Sequence, residues 1–217
     1  VLRLDVTTVV TRSNAQKDAR GRLVGYWETT NSTGGNLNRS ETRHRENLVY
    51  DGQGHVISYK DTVTASDAPT LTTVTTRDGM VYDLFGQLTG YQETATQWEG
   101  SQQLKTLSVT RRGMIYDARG RVLRYDESQT GTGLGGTRKI ERRQMLYDEE
   151  NHLLGYQEMV LDPDGLKTET NAHDIAYNPL AQESGRKETV VITARDKGIE
   201  VFRRVTEKTR DYETYNS

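Results

Sequence analysis

Tyr116-Asp117-Ala118-Arg119-Gly120-Arg121-Val122 sets an aspartate, two variable residues and a glycine between extended runs, and Tyr82-Asp83-Leu84-Phe85-Gly86-Gln87-Leu88 does the same one period earlier. Asp at the first position of a turn accepts local backbone hydrogen bonds. Gly at the fourth supplies the positive φ that closes a type I turn with a bulge. Each stretch is therefore predicted to be the tip of a β-hairpin. The pattern returns at Tyr50-Asp51-Gly52-Gln53-Gly54 and Tyr147-Asp148-Glu149-Glu150-Asn151, with weaker copies at Lys17-Asp18-Ala19-Arg20-Gly21 and Tyr177-Asn178-Pro179-Leu180-Ala181. The six predicted turns, 18–21, 51–54, 83–86, 117–120, 148–151 and 178–181, follow one another at 30 to 34 residues. Asn151 is the next best left-handed residue after Gly, and Pro179 stands where a fixed φ is tolerated. Only Ala181 breaks the rule.

Two strands per turn give an all-β, antiparallel up-and-down meander of about a dozen long strands, and no segment keeps a helical period. One array of about six repeats is expected across residues 1–217, with Val1 in mid-repeat and a truncated seventh copy at Tyr215-Asn216, as in a piece cut from a longer repetitive protein. An open or curling sheet is expected, with a wide closed barrel as the alternative. Away from the tips the strands become polar and reverse at Asp162-Pro163-Asp164-Gly165, at Arg195-Asp196-Lys197-Gly198 and at the glycine-rich Gly131 to Gly136.

Charge fixes the pairing. A bulged turn places Arg12 opposite Glu28, Arg45 opposite Asp61, Arg77 opposite Glu93, Arg111 opposite Glu127 and Arg142 opposite Glu158. A plain two-residue turn would set Arg45 against Lys60. The bulged register also predicts Tyr59 across from Asn47, Tyr91 from Gly79 and Tyr125 from Gly113, with Met80, Tyr82 and Leu88 on one face and Val81, Thr89 and Tyr91 on the other.

Composition bounds the function. Leu, Ile, Val and Phe make up about a fifth of the chain, close to the level at which chains stay disordered. A net charge of −2, twelve Tyr, three Pro and abundant Thr and Val favour strands instead. With 29 basic and 31 acidic residues and no long run of either, nothing points to nucleic acid. No apolar run is long enough for a membrane helix, and the absence of Cys excludes disulfides and thiolate metal sites.

The turn sequences quoted first resemble the YD repeats of the RHS group. That resemblance implies long arrays of β-strands in large secreted or cell-surface proteins, some of which wrap into hollow shells around a toxin segment. The period here, near 32, is longer than the usual repeat of the family, and the added length falls in the polar distal strands.

Candidate sites weigh little against their structural readings. The histidines at 44, 55, 152 and 173 are scattered, and His55 and His152 share a post-turn position with Arg22, Gln87 and Arg121, which predicts a solvated surface. Asp162 to Glu169 lacks the oxygen ligands of a calcium loop, Gly131 to Gly136 precedes no helix that could bind phosphate, and His173-Asp174 has no nucleophile context. A set of Arg and acid residues present in five copies belongs to folding, since chemistry needs one unique site. No catalytic, cofactor-binding or metal-ligating residue is predicted, and the chain is expected not to be an enzyme. The expected function is a structural or spacer region of a larger secreted or surface protein, forming a β-sheet wall or platform, with other repeats of that protein as partners. The alternative is an adhesin-like or carbohydrate-binding module, for which Trp27 and Trp98 are the candidate contact residues. A third reading makes the fragment the casing of a toxin or enzyme encoded elsewhere in the chain.

Overall fold

The computed structural model describes residues 6–35, 37–196 and 199–211. The copy at Tyr215-Asn216 and the Lys197-Gly198 tip of the turn expected after Arg195 lie outside them. Among the described residues all regular structure is strand: β1 Thr7–Lys17, β2 Leu23–Gly34, β3 Leu37–Tyr50, β4 Val56–Ala65, β5 Ala68–Tyr82, β6 Leu88–Glu99, β7 Gln102–Tyr116, β8 Val122–Gly131, β9 Arg138–Tyr147, β10 Leu153–Leu161, β11 Lys167–Tyr177, β12 Glu183–Asp196 and β13 Ile199–Asp211. They hydrogen-bond in chain order into one thirteen-stranded antiparallel up-and-down sheet that does not close into a barrel. Contacts divide the chain into two compact units, residues 1–109 and 110–217.

The tips close as their residues dictate. Asp18 N–H donates to Arg22 O at 2.8 Å and Gly21 N–H to Asp18 O at 2.9 Å. The same two bonds close the turns that begin at Asp51, Asp83, Asp117, Asp148 and Asn178, and also the distal turn Asp162-Pro163-Asp164-Gly165. Asn151 takes φ 73°, and Ala181 takes φ 58° in spite of its Cβ.

Away from the tips the ladder has the expected register, with Arg12 opposite Glu28, Arg45 opposite Asp61, Arg77 opposite Glu93 and Arg142 opposite Glu158. Nearer the tips the straight ladder is overturned. Pairing passes from Glu46–Lys60 to Val49–Ser58, so Tyr59 stands across from two residues, Asn47 and Leu48, and then skips Ile57 to reach Tyr50–Val56. Tyr91 likewise spans Gly79 and Met80, between Asp78–Gln92 and Val81–Gly90. One bulge adds a residue to the strand before the turn and the next adds one to the strand after it. They cancel, and the charge register survives. The first bulge residue is left-handed in each hairpin: Asn14 (φ 50°), Asn47 (57°), Gly79 (57°), Gly113 (61°), Gln144 (51°) and Asp174 (53°).

An added residue inverts the alternation of side chains, so the expected division of faces is also corrected. Tyr91 is buried at 9 % exposure beside Arg77, whose charge also reaches the Tyr82 hydroxyl, whereas Val81 is 57 % exposed. The core of each unit is sparse. Leu48, Met114, Met145 and Ile175, each two residues before a turn tyrosine, are buried, as are Tyr26, Tyr91 and Ala172. Val49, Val81, Ile115 and Leu146, one position later, are exposed. No large side chain among the described residues is fully buried, so cross-strand neighbours supply most of the cover.

Candidate functional site

At five of the six tips an aspartate carboxylate organises the loop, and at the sixth the Asn178 amide oxygen does so, accepting the N–H groups of Leu180 and Gln182. Asp51 Oδ1 accepts the N–H groups of Gln53 and His55 at 2.8 and 2.9 Å, and Asp18 Oδ1 accepts those of Arg20 and Arg22 at 2.9 Å each. The second oxygen takes the side chain four residues on: Arg22 Nε at 2.8 Å from Asp18, Arg121 Nε at 2.7 Å from Asp117, and Nδ1 of His55 and His152 at 3.1 and 2.9 Å from Asp51 and Asp148. Backbone donation by Arg22 and Arg121, with their guanidinium bonds, holds Asp18 and Asp117 below the usual carboxylate range. For Asp51 and Asp148 desolvation pushes upward, and hydrogen bonds from His55 and His152 outweigh it, so these carboxyls are lowered too.

The same post-turn residue reaches the next hairpin. Arg22 lies 4.6 Å over the Tyr50 ring and Arg121 4.9 Å over Tyr147, while His55 stacks on Tyr82 at 4.6 Å and His152 on Tyr177 at 4.5 Å. The tyrosine returns the contact through its hydroxyl. Tyr50 donates to Leu23 O at 2.6 Å, Tyr82 to Val56 O at 2.7 Å, Tyr147 to Val122 O at 2.9 Å and Tyr177 to Leu153 O at 3.0 Å. The signature tyrosine is thus a tie between neighbouring hairpins. His55 and His152 are not the solvated residues expected, since carboxylate and ring enclose them to 29 and 26 % side-chain exposure. The available signal was a planar donor, Arg, His or Gln, five residues after every turn Tyr and one period before the next.

A second row runs across the strands. Arg12, Arg45, Arg77, Arg111 and Arg142 stand 4.1 to 4.4 Å over the rings of Tyr26, Tyr59, Tyr91, Tyr125 and Tyr156. Each also pairs with the acid opposite, at 2.5 to 2.8 Å. Inner arginines touch a second ring on the preceding hairpin: Arg45 is 6.0 Å from Tyr26, Arg77 5.8 Å from Tyr59 and Arg142 6.0 Å from Tyr125. The Asp61 hydrogen bond holds the Arg45 guanidinium well above its ordinary value. Asp61, Glu127 and Glu188 are buried, which an acid tolerates only when paired. In the last hairpin Ala172 replaces the arginine, and Glu188 instead meets Arg186 at 2.9 Å and Arg210 at 3.7 Å.

The sequence-derived aromatics are not brought together. Trp27 on β2 is 40 % exposed and stacks on His44 with centroids 4.2 Å apart. Trp98 on β6 is half-buried across from Thr72, four strands along the sheet, or about 19 Å at the usual strand spacing. Asp148, Glu150 and His152 do place three ligand atoms within 4.8 Å, a convergence not expected from the sequence, but Asp148 already serves the turn and His152 the Tyr177 ring. In the Asp162 turn Arg138 Nε occupies Asp162 Oδ1 at 2.6 Å and Lys167 holds Glu169 at 2.7 Å. Gly136 rests against Pro163, where an added Cβ would come within 2.9 Å, so the glycine-rich loop packs on its neighbouring turn. Asp174, beside His173, is the left-handed bulge residue and pairs with Lys187 at 3.0 Å. No family model matches the chain, and no curated protein matches it.

Proposed function

We propose that the chain is a non-catalytic structural or spacer region of a large secreted or surface protein of the YD-repeat kind, with further hairpins of that protein as its partners. One observation carries this reading: the arginine, tyrosine and acid row recurs in five hairpins with every member engaged by its neighbours. A reaction needs one place where an acid, base or nucleophile is free to act, and recurrence with full pairing is the opposite arrangement. The exposed Trp27 on His44 favours carbohydrate binding as the second reading, because a flat aromatic surface suits a sugar ring.

Excision of residues 51–82, which joins Tyr50 to Asp83 and removes one whole period, tests the proposal. A spacer loses one hairpin and keeps its strand signal and cooperative melt. Collapse of the fold, or glycan-array binding that Trp27→Ala abolishes, would refute it.

A further inference from the structure

Of the nine asparagines in the chain only Asn31 and Asn38 begin the triplet Asn-x-Ser/Thr, in Asn31-Ser32-Thr33 and Asn38-Arg39-Ser40. A pleated strand is an unfavourable place for asparagine, and elsewhere the fold gives it work. Asn14, Asn47 and Asn151 supply positive φ, and Asn178 organises its turn. Asn31 on β2 and Asn38 on β3 do neither. Both are exposed, neither has a positive φ, and no described residue engages either carboxamide.

The ladder interlocks the two triplets. Asn31 stands across from Ser40 and Asn38 across from Thr33, so each asparagine faces the hydroxyl residue of the other triplet. Residues paired across an antiparallel ladder share a face, as do residues two apart on one strand. Both asparagines and both hydroxyl residues therefore lie on one face, with the asparagines on a diagonal roughly 7–8 Å apart. The middle residues take the opposite face and are engaged there. Ser32 Oγ is 3.3 Å from Thr8 Oγ1, and Arg39 donates to Asp67 at 3.2 Å and to Glu41 at 3.3 Å. The side-chain contacts that hold this end of the hairpin are thus on one face and the two free carboxamides on the other.

We propose that Asn31 and Asn38 are acceptors of asparagine-linked oligosaccharide. The modification requires entry into a secretory compartment and so rests on the reading of the chain as secreted. The donor is an oligosaccharide carried on a polyisoprenyl diphosphate, and the hydroxyl two residues on is what the transferase recognises. The carboxamide Nδ2 attacks C1 of the first sugar, and the new N–C bond replaces the C1–O bond to the diphosphate. The lipid diphosphate departs with that electron pair, and one amide proton passes to a base of the transferase. Once β2 is paired on both sides, by β1 and β3, its triplet is locked in the ladder, so transfer precedes closure of the sheet. The folded chain then carries both sugars on a face where they displace no hydrogen bond or ion pair.

The test is synthesis of the chain behind a cleavable secretory leader in the presence of endoplasmic-reticulum microsomes, read by gel mobility and glycopeptide mass spectrometry. Two sugar chains should be attached, and an amidase specific for asparagine-linked glycans should remove both, leaving aspartate at positions 31 and 38. Asn31→Gln or Thr33→Ala should remove one chain and Asn38→Gln or Ser40→Ala the other, while Ser32→Ala and Arg39→Ala should remove neither. The glycosylated chain should keep the strand signal and the melting temperature of the chain after amidase treatment. An unmodified chain, asparagine-linked sugar elsewhere, or a sugar-bearing chain that fails to fold would overturn the inference. A single occupied acceptor would overturn it for the other. Excision of residues 51–82 leaves both triplets intact, so collapse there and a missing glycan here are separate results.

Discussion

Ala181 occupies a left-handed turn position, φ 58°, that glycine holds at Gly21, Gly54, Gly86 and Gly120. The Cβ makes that conformation costly, so Ala181→Gly should stabilise by about 0.5–1 kcal/mol, read from the denaturant midpoint. The reverse change, Gly86→Ala, should destabilise by at least as much, because φ is +75° there and the new Cβ would lie 3.2 Å from His55 Nε2. An unchanged midpoint for Ala181→Gly would show that the last turn is not left-handed in solution. The tip carboxylates give the chain a pH signature. Asp18, Asp51, Asp117 and Asp148 all titrate below their usual range when folded, so the unfolded chain takes up protons first as the pH falls. Their stabilisation is complete above the ordinary aspartate value near 4 and is lost as the pH drops through the lower folded values. At the other end burial raises the Tyr82, Tyr147 and Tyr177 hydroxyls, the unfolded chain ionises first, and stability declines as the pH rises through about 10. Melting temperature should be level between about pH 5 and 9 and fall on both sides. A level curve down to pH 2 would refute the role assigned to the tip carboxylates.

At the scale of the hairpin, the turns and the charge register were legible because Asp, Gly and Arg act through local rules that one sequence displays. The paired bulges were not. The charge register sets Asn47, Gly79 and Gly113 across from tyrosines, but Asn14, Gln144 and Asp174 occupy the same place, and all six have positive φ. A bulge cancelled by another leaves no trace in the register, and only recurrence of a left-handed type three residues before each turn Tyr could have marked it. The bridges from His55 to Tyr82 and from His152 to Tyr177 escaped for another reason: they join side chains of different hairpins, and their one mark in the sequence is the planar donor that recurs five residues after each turn Tyr. The structure also sharpens what the Arg77–Glu93 pair should do. Charge reversal at either residue should cost about 0.5 kcal/mol, and reversing both should restore only part of it. The restored part is Coulombic; the stack of Arg77 on Tyr91 at 4.3 Å is not, since a carboxylate over a ring face is repelled. Strict additivity in the double-mutant cycle would place the two side chains apart.

For the molecule as a whole, the sheet follows chain order and each strand bonds to its sequence neighbours, so stability should divide into hairpins and the interfaces between them, as in quasi-one-dimensional folds. Two truncations in the second unit separate this from a single cooperative core. Ending the chain after Leu161 removes β11 to β13 and gives up the Tyr177 tie and the His152 stack, but leaves the β9–β10 hairpin closed by Arg142 and Glu158. Ending it after Tyr147 splits that hairpin, so Arg142 loses Glu158 and the Tyr156 ring, and the buried Met145 loses the strand beside it. The longer product should keep its strand signal and a cooperative melt at a temperature lowered by several degrees. The shorter should aggregate through β9, which becomes an edge with its apolar residues uncovered. Circular dichroism and sedimentation on the two products decide the matter. Equal unfolding of both would mean that all the strands stand or fall together, and nearest-neighbour packing would then not be what holds this sheet.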